Sequence, residues 1–132
     1  MTERTAVDDE ALARVPKVAR WLVVQGSLEL LVALIVGVGW AMQLGRVVGE
    51  LGRFQQAGFA GMAACALLSG SLKVAAGRRN AHFQAYDLGV AALWSGLISL
   101  ATCYCFPSAA ILLVYGLRIY SNPGVRRAFG KT

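Results

Sequence analysis

Histidine occurs once and cysteine three times in this chain of 132 residues, and Asp and Glu together number seven. Those scarcities exclude much chemistry. His82 alone cannot give two axial ligands to a haem, and with so few other donors no zinc site is complete. Cys103 and Cys105 stand one residue apart and Cys65 lies far from both, so the C-x-x-C spacing of a thiol oxidoreductase is missing. All three read as small apolar packing residues. Long polar segments are missing too. The longest connection between apolar stretches holds nine residues, too few to build a core of its own. No metal, no cofactor and no catalytic role is expected, and any activity must reside in the apolar part or at its rims.

That apolar part is large. Residues 21–44, 54–76, 83–104 and 107–121 form four stretches, the first three of 22 to 24 residues, against the roughly 20 that a helix needs to cross a hydrocarbon core of ~30 Å. The pattern predicts an all-α fold, a four-helix transmembrane bundle over 21–121. A cytoplasmic N-terminal segment over 1–20 and a cytoplasmic amphipathic tail over 122–132 complete the plan. The fourth stretch offers only about 22 Å of helix. Its shortfall is met if Arg118 snorkels to the headgroups and the turn at 105–107 sits below the outer surface. Glu3, Asp8, Asp9 and Glu10 make the start acidic, so the first stretch is read as a retained signal anchor.

Lys and Arg fall on alternate sides of these stretches. Arg4, Arg14, Lys17 and Arg20 precede the first, Lys73, Arg78 and Arg79 close the second, and Arg118, Arg126, Arg127 and Lys131 end the chain. Only Arg46 and Arg53 lie on the other side. Basic residues in short loops resist translocation, so both termini are expected in the cytoplasm and the protein in a cell inner (plasma) membrane. Anionic lipid then accounts for the net charge of +6, at about 1 kcal/mol per basic residue near the surface. No nucleic-acid partner is needed.

Ionisable residues inside the apolar stretches are the informative anomaly. A charge at the centre of a membrane helix costs about 2.5–3.5 kcal/mol, so Glu29, Lys73, Asp87 and Arg118 should face inward and pair. Acids sit on the odd stretches and bases on the even ones, which predicts structural ion pairs Glu29–Lys73 and Asp87–Arg118. Glu29 is also the candidate for an ion or proton site, with Gln25 one turn away, Ser27 near and Lys73 opposing it. Ser69 and Lys73 have the i, i+4 spacing of a Ser–Lys nucleophile pair, yet no oxyanion hole or cleft is recognisable beside them.

The ends carry helix signals. Asp8, Asp9 and Glu10 would load the first turn of a short helix bearing Leu12 and Val15, and Pro16 would open the first long helix. Asn122 is a natural N-cap with Pro123 at the first helical position, and Val125 and Phe129 then share the apolar face of an interfacial segment. Small-residue stripes at Ala57, Gly61 and Cys65, and at Ala85, Gly89, Ala92 and Gly96, allow close helix packing or self-association. Trp94 lies mid-stretch and is expected to face the bundle, where its N–H finds an acceptor.

Two resemblances arise from these residues. Glu29 in the first stretch and Ala92-Leu93-Trp94-Ser95-Gly96 resemble the small multidrug-resistance transporters, but the longer connection after the first stretch, the internal Lys73 and Asp87 and the charge asymmetry depart from that family. Thr-Cys-Tyr-Cys-Phe-Pro, Val-Tyr-Gly-Leu and Asn-Pro-Gly-Val-Arg-Arg-Ala-Phe, within residues 102–129, resemble the closing segment of small uncharacterised four-span membrane proteins of bacteria. That resemblance implies a fold and a compartment and no activity. The expected role is a structural or accessory subunit that packs in the lipid bilayer against itself or a larger membrane protein. The alternative is a small oligomeric ion channel or proton-coupled transporter using Glu29.

Overall fold

A computed structural model of the chain describes residues 2–43, 50–101 and 106–131. Among them are six helical segments and no strand: α1 (Thr2–Gln43), α2 (Glu50–Asn80), α3 (Tyr86–Trp94), α4 (Gly96–Ala101), α5 (Phe106–Tyr120) and α6 (Pro123–Ala128). The fold is all-α. Two helices are long and apolar enough to cross a membrane, within Asp8–Gln43 and Gly52–Asn80. The third apolar stretch is divided at Ser95 into α3 and α4, and α5 has fifteen residues. Cys103, Cys105, Tyr104 and Arg46 lie outside the described residues.

The pairing of α1 with α2 organises the rest. Ala19 faces Gly77 and Gly26 faces Gly70, so successive contacts are seven positions apart on each helix. A Cβ on Gly26 would come 2.7 Å from the Gly70 carbonyl oxygen, one on Gly70 would come 2.7 Å from that of Gly26, and one on Gly77 would come 2.5 Å from that of Ala19. The two backbones therefore touch. Heptad spacing is the rhythm of left-handed helix pairs, and buried Ala33 continues it on α1 one heptad beyond Gly26. The stripe of Ala57, Gly61 and Cys65 does not serve this seam, since Ala57 and Gly61 are exposed. In the other expected stripe, Gly89, Ala92 and Gly96 are buried.

At its N-terminal end α1 departs from expectation. Pro16 lies inside one continuous helix and does not open a second one. A proline in a helix interior costs about 3 kcal/mol, whereas each fully buried Val or Leu contributes about 1.5–3 kcal/mol. Val15, Val18 and Leu22 are wholly buried in a core shared with Tyr120 and Val125, which offsets the lost hydrogen bond. Docking of α6 on α1 supplies that core. Gly124 is needed there, because a Cβ would fall 2.5 Å from the Asp8 side chain, and Arg127 pairs with Asp8 at 2.8 Å. The amphipathic tail thus turns Val125 into the protein core.

Asn122 caps α6 with its side-chain oxygen, accepting from the Gly124 N–H at 2.7 Å and the Val125 N–H at 3.4 Å, and Pro123 starts the helix. Asn122→Ala is expected to cost about 1 kcal/mol in a thermal unfolding measurement. Phe129 then closes an aromatic cluster with Phe83, Tyr86 and Tyr120, ring centroids 5.3 to 5.8 Å apart. Phe83 holds a left-handed backbone (φ 56) in the turn after α2, a conformation costing roughly 1–2 kcal/mol that its ring contacts repay. Trp94, expected inside, is 53% exposed, because its neighbours Ala92 and Leu93 take the inward face of α3.

Candidate functional site

Three helices each bring one polar pair, spaced one turn apart, to a single buried place: Gln25 and Glu29 from α1, Ser69 and Lys73 from α2, and Ser95 and Ser99 from the region where α3 gives way to α4. All six side chains are buried, Glu29 at 0% and Lys73 at 1% exposure. The tight seam makes this possible. Gly26 and Gly70 hold the helices so close that residues flanking them on α1 and α2 meet across the interface.

Lys73 is the hub. Its Nζ donates to Glu29 Oε1 and to Ser99 Oγ, the latter at 2.9 Å. Ser99 Oγ donates in turn to Glu29 Oε1, and Gln25 Nε2 approaches the same oxygen at 3.5 Å. Every one of these donors converges on Oε1. The second carboxylate oxygen, Oε2, is buried without a hydrogen-bond partner. One turn away Ser69 Oγ lies 3.3 Å from Ser95 Oγ and 3.4 Å from its carbonyl oxygen, while Ser95 Oγ donates back to the Ala92 carbonyl at 2.7 Å. Such back-bonding competes with the helix ladder, and the chain breaks from α3 to α4 at this residue.

Of the residues expected at the site, Gln25, Glu29 and Lys73 come together, and Ser27 is exposed on another face of α1. Ser69 bonds Ser95, with the Lys73 ammonium directed to Glu29 and Ser99. The pairing of Asp87 with Arg118 requires correction. Asp87 pairs with Lys131 at 2.6 Å, because the segment after α6 returns past the first turn of α3, and Arg118 is exposed. Both partners of that bridge are largely in the open, so it is worth at most about 1 kcal/mol. Ser95 and Ser99 were not anticipated as partners. Their signal was present in the sequence, as a third i, i+4 polar pair in an apolar stretch beside Gln25–Glu29 and Ser69–Lys73.

Chemically, the arrangement is a compensated ion pair with one unused acceptor. Opposite charges cancel, Ser99 bridges both, and Glu29 Oε2 keeps lone pairs that no donor fills. No group of three His, Cys, Asp or Glu side chains that could hold a metal ion occurs among the described residues. Comparison with models of known protein families, with curated proteins and with solved structures gives no match.

Proposed function

We propose that the chain is an integral membrane protein of four crossings, with both termini cytoplasmic in an inner (plasma) membrane, serving as a structural or accessory subunit of a membrane assembly. Its surface supports the membrane part of that reading. In the most apolar windows of α1 and α2 only 28% of residues are buried, where the core helix of a water-soluble protein would be mostly covered. Leu34 and Ile35 of α1, Leu68 of α2 and Ile111 and Val114 of α5 are all more than 60% exposed. Such a belt is at home against lipid. The α3–α4 region and α5 make the third and fourth crossings, each short for a bilayer and sheltered by the longer helices.

The subunit role is carried by one observation: the internal charges are spent on each other. Glu29 and Lys73 neutralise one another and fix three helices in register, the best-attested use of a buried polar network. Native mass spectrometry of the gently extracted protein is expected to reveal a stoichiometric larger membrane protein. A discrete homo-oligomer without any partner would overturn the subunit role.

The unpartnered Glu29 Oε2 favours a second reading, a small oligomeric channel or proton-coupled transporter. Glu29→Gln separates the two. Under the subunit reading, proton flux into liposomes stays at the wild-type level while assembly weakens; flux abolished in a variant that still assembles would establish transport.

A further inference from the structure

The α1–α2 seam has two flanks. Glu29 and Lys73 each stand three positions after a seam glycine, Gly26 and Gly70, and their pairing marks the flank to which Ser95 and Ser99 are brought. At about 100° per residue, a side chain one position after a seam residue lies on the opposite flank of its helix. Those positions are Arg20 and Ser27 on α1 and Ser71 and Arg78 on α2, and all four are exposed. Arg20 and Arg78 follow the tightest contact of the seam, where a Cβ on Gly77 would lie 2.5 Å from the Ala19 carbonyl oxygen. Two like charges therefore flank touching backbones. Neither has an ion-pair partner among the described residues, whereas Arg14, Arg127 and Lys131 are matched to Glu10, Asp8 and Asp87. Lys17 and Arg79, also exposed and unmatched, lie at the same level of the two antiparallel helices. Among acids whose side chains are described only Asp9 is unmatched, and it stands roughly 16 Å back along α1 from Arg20. The cations repel one another, and an anion from outside the chain would turn that repulsion into attraction.

We propose that Arg20 and Arg78 bind the phosphate of one anionic phospholipid of the cytoplasmic leaflet, on the outer flank of the α1–α2 seam. A guanidinium is permanently charged and presents paired N–H donors to phosphate oxygens, and these two reach the headgroup from adjacent helices. Free phosphate has the same charge but no hydrocarbon. The flank suits hydrocarbon, since Val23 and Val74 are half-buried one turn deeper and Leu34 and Leu67 are exposed beyond them. The site rests on the membrane reading and is independent of whether the protein is a subunit or a transporter.

The test is native mass spectrometry of the full chain released from nanodiscs of phosphatidylglycerol and phosphatidylcholine. Wild type retains one phosphatidylglycerol. Arg20→Gln and Arg78→Gln each lower that retention about fivefold, and together about 30-fold. Arg118→Gln/Arg126→Gln removes the same charge elsewhere on the basic rim and leaves retention unchanged. In phosphatidylcholine alone, the Arg20→Gln/Arg78→Gln variant melts at or above the wild-type temperature, because repulsion is relieved and no packing is lost. Four results would overturn the site: full retention by the Arg20→Gln/Arg78→Gln variant; equal loss in both double variants, meaning diffuse attraction to the whole rim; a lower melting point of the Arg20→Gln/Arg78→Gln variant in phosphatidylcholine, meaning a structural role; or protection of wild type by inorganic phosphate equal to that by phosphatidylglycerol. Failure of the membrane reading has its own signature, release of the wild-type chain from membranes by alkaline carbonate.

Discussion

Lys73→Met is expected to destabilise the protein by about 3–5 kcal/mol, the usual cost of leaving one member of a buried ion pair behind. The cause is Glu29. With no exposed surface and a second oxygen already lacking a donor, the carboxylate would keep only Ser99 and the distant Gln25 amide. Glu29→Gln/Lys73→Met should recover most of the loss, since an uncharged pair of similar volume needs no compensation. A double-mutant cycle read by denaturant unfolding in lipid micelles measures this. Additive losses, with the double variant worse than either single one, would show that the pair does not act as a unit. Because exposed bridges such as Asp87–Lys131 contribute little, Asp87→Asn serves as the internal control.

Gly77→Ala should be the most damaging of the seam substitutions, with Gly26→Ala and Gly70→Ala close behind. In each case the new methyl meets the carbonyl oxygen of the facing backbone at 2.5 to 2.7 Å, and a backbone cannot turn aside as a side chain can. The helices must separate along the seam, which loosens the contacts that bring Glu29 to Lys73. Overpacking of this kind costs about 1–3 kcal/mol, and thermal unfolding with cross-linking between α1 and α2 reads both the loss and the displacement. Gly39→Ala and Gly58→Ala form the contrast: a Cβ at either meets nothing within 4 Å. At those positions alanine should be neutral or stabilising, by up to about 1 kcal/mol from helix propensity. Equal effects at all five positions would mean that propensity, and not contact, governs the seam.

Several features were legible in the residues because they depend on neighbours along one helix. The helical class, the presence of two long apolar helices in α1 and α2 and the Asn122–Pro123 start of α6 are of this kind. So is the expectation that Glu29 and Lys73 turn inward, since a charge within an apolar stretch has few tolerable alternatives. Other features misled because local rules were outweighed. Pro16 reads as a helix start, yet Val15, Val18 and Leu22 find a common core that carries the helix through it. Trp94 reads as an inward donor, yet Ala92 and Leu93 occupy the inner face.

By itself, then, the sequence determined that the chain is helical, where its two longest apolar helices lie and that Glu29 and Lys73 turn inward, because these follow from hydropathy and a period of 3.6 residues, whereas it hid Asp87 and Arg118, which the structure leaves exposed. It did not determine which face meets which. That choice belongs to the tertiary structure, where Gly26, Gly70 and Gly77 bring two backbones into contact and so set the register that carries Lys73 to Glu29. The same packing docks α6 on α1 and sends Lys131, not Arg118, to Asp87. Small residues encode permission to approach; only the assembled helices decide which approach is taken.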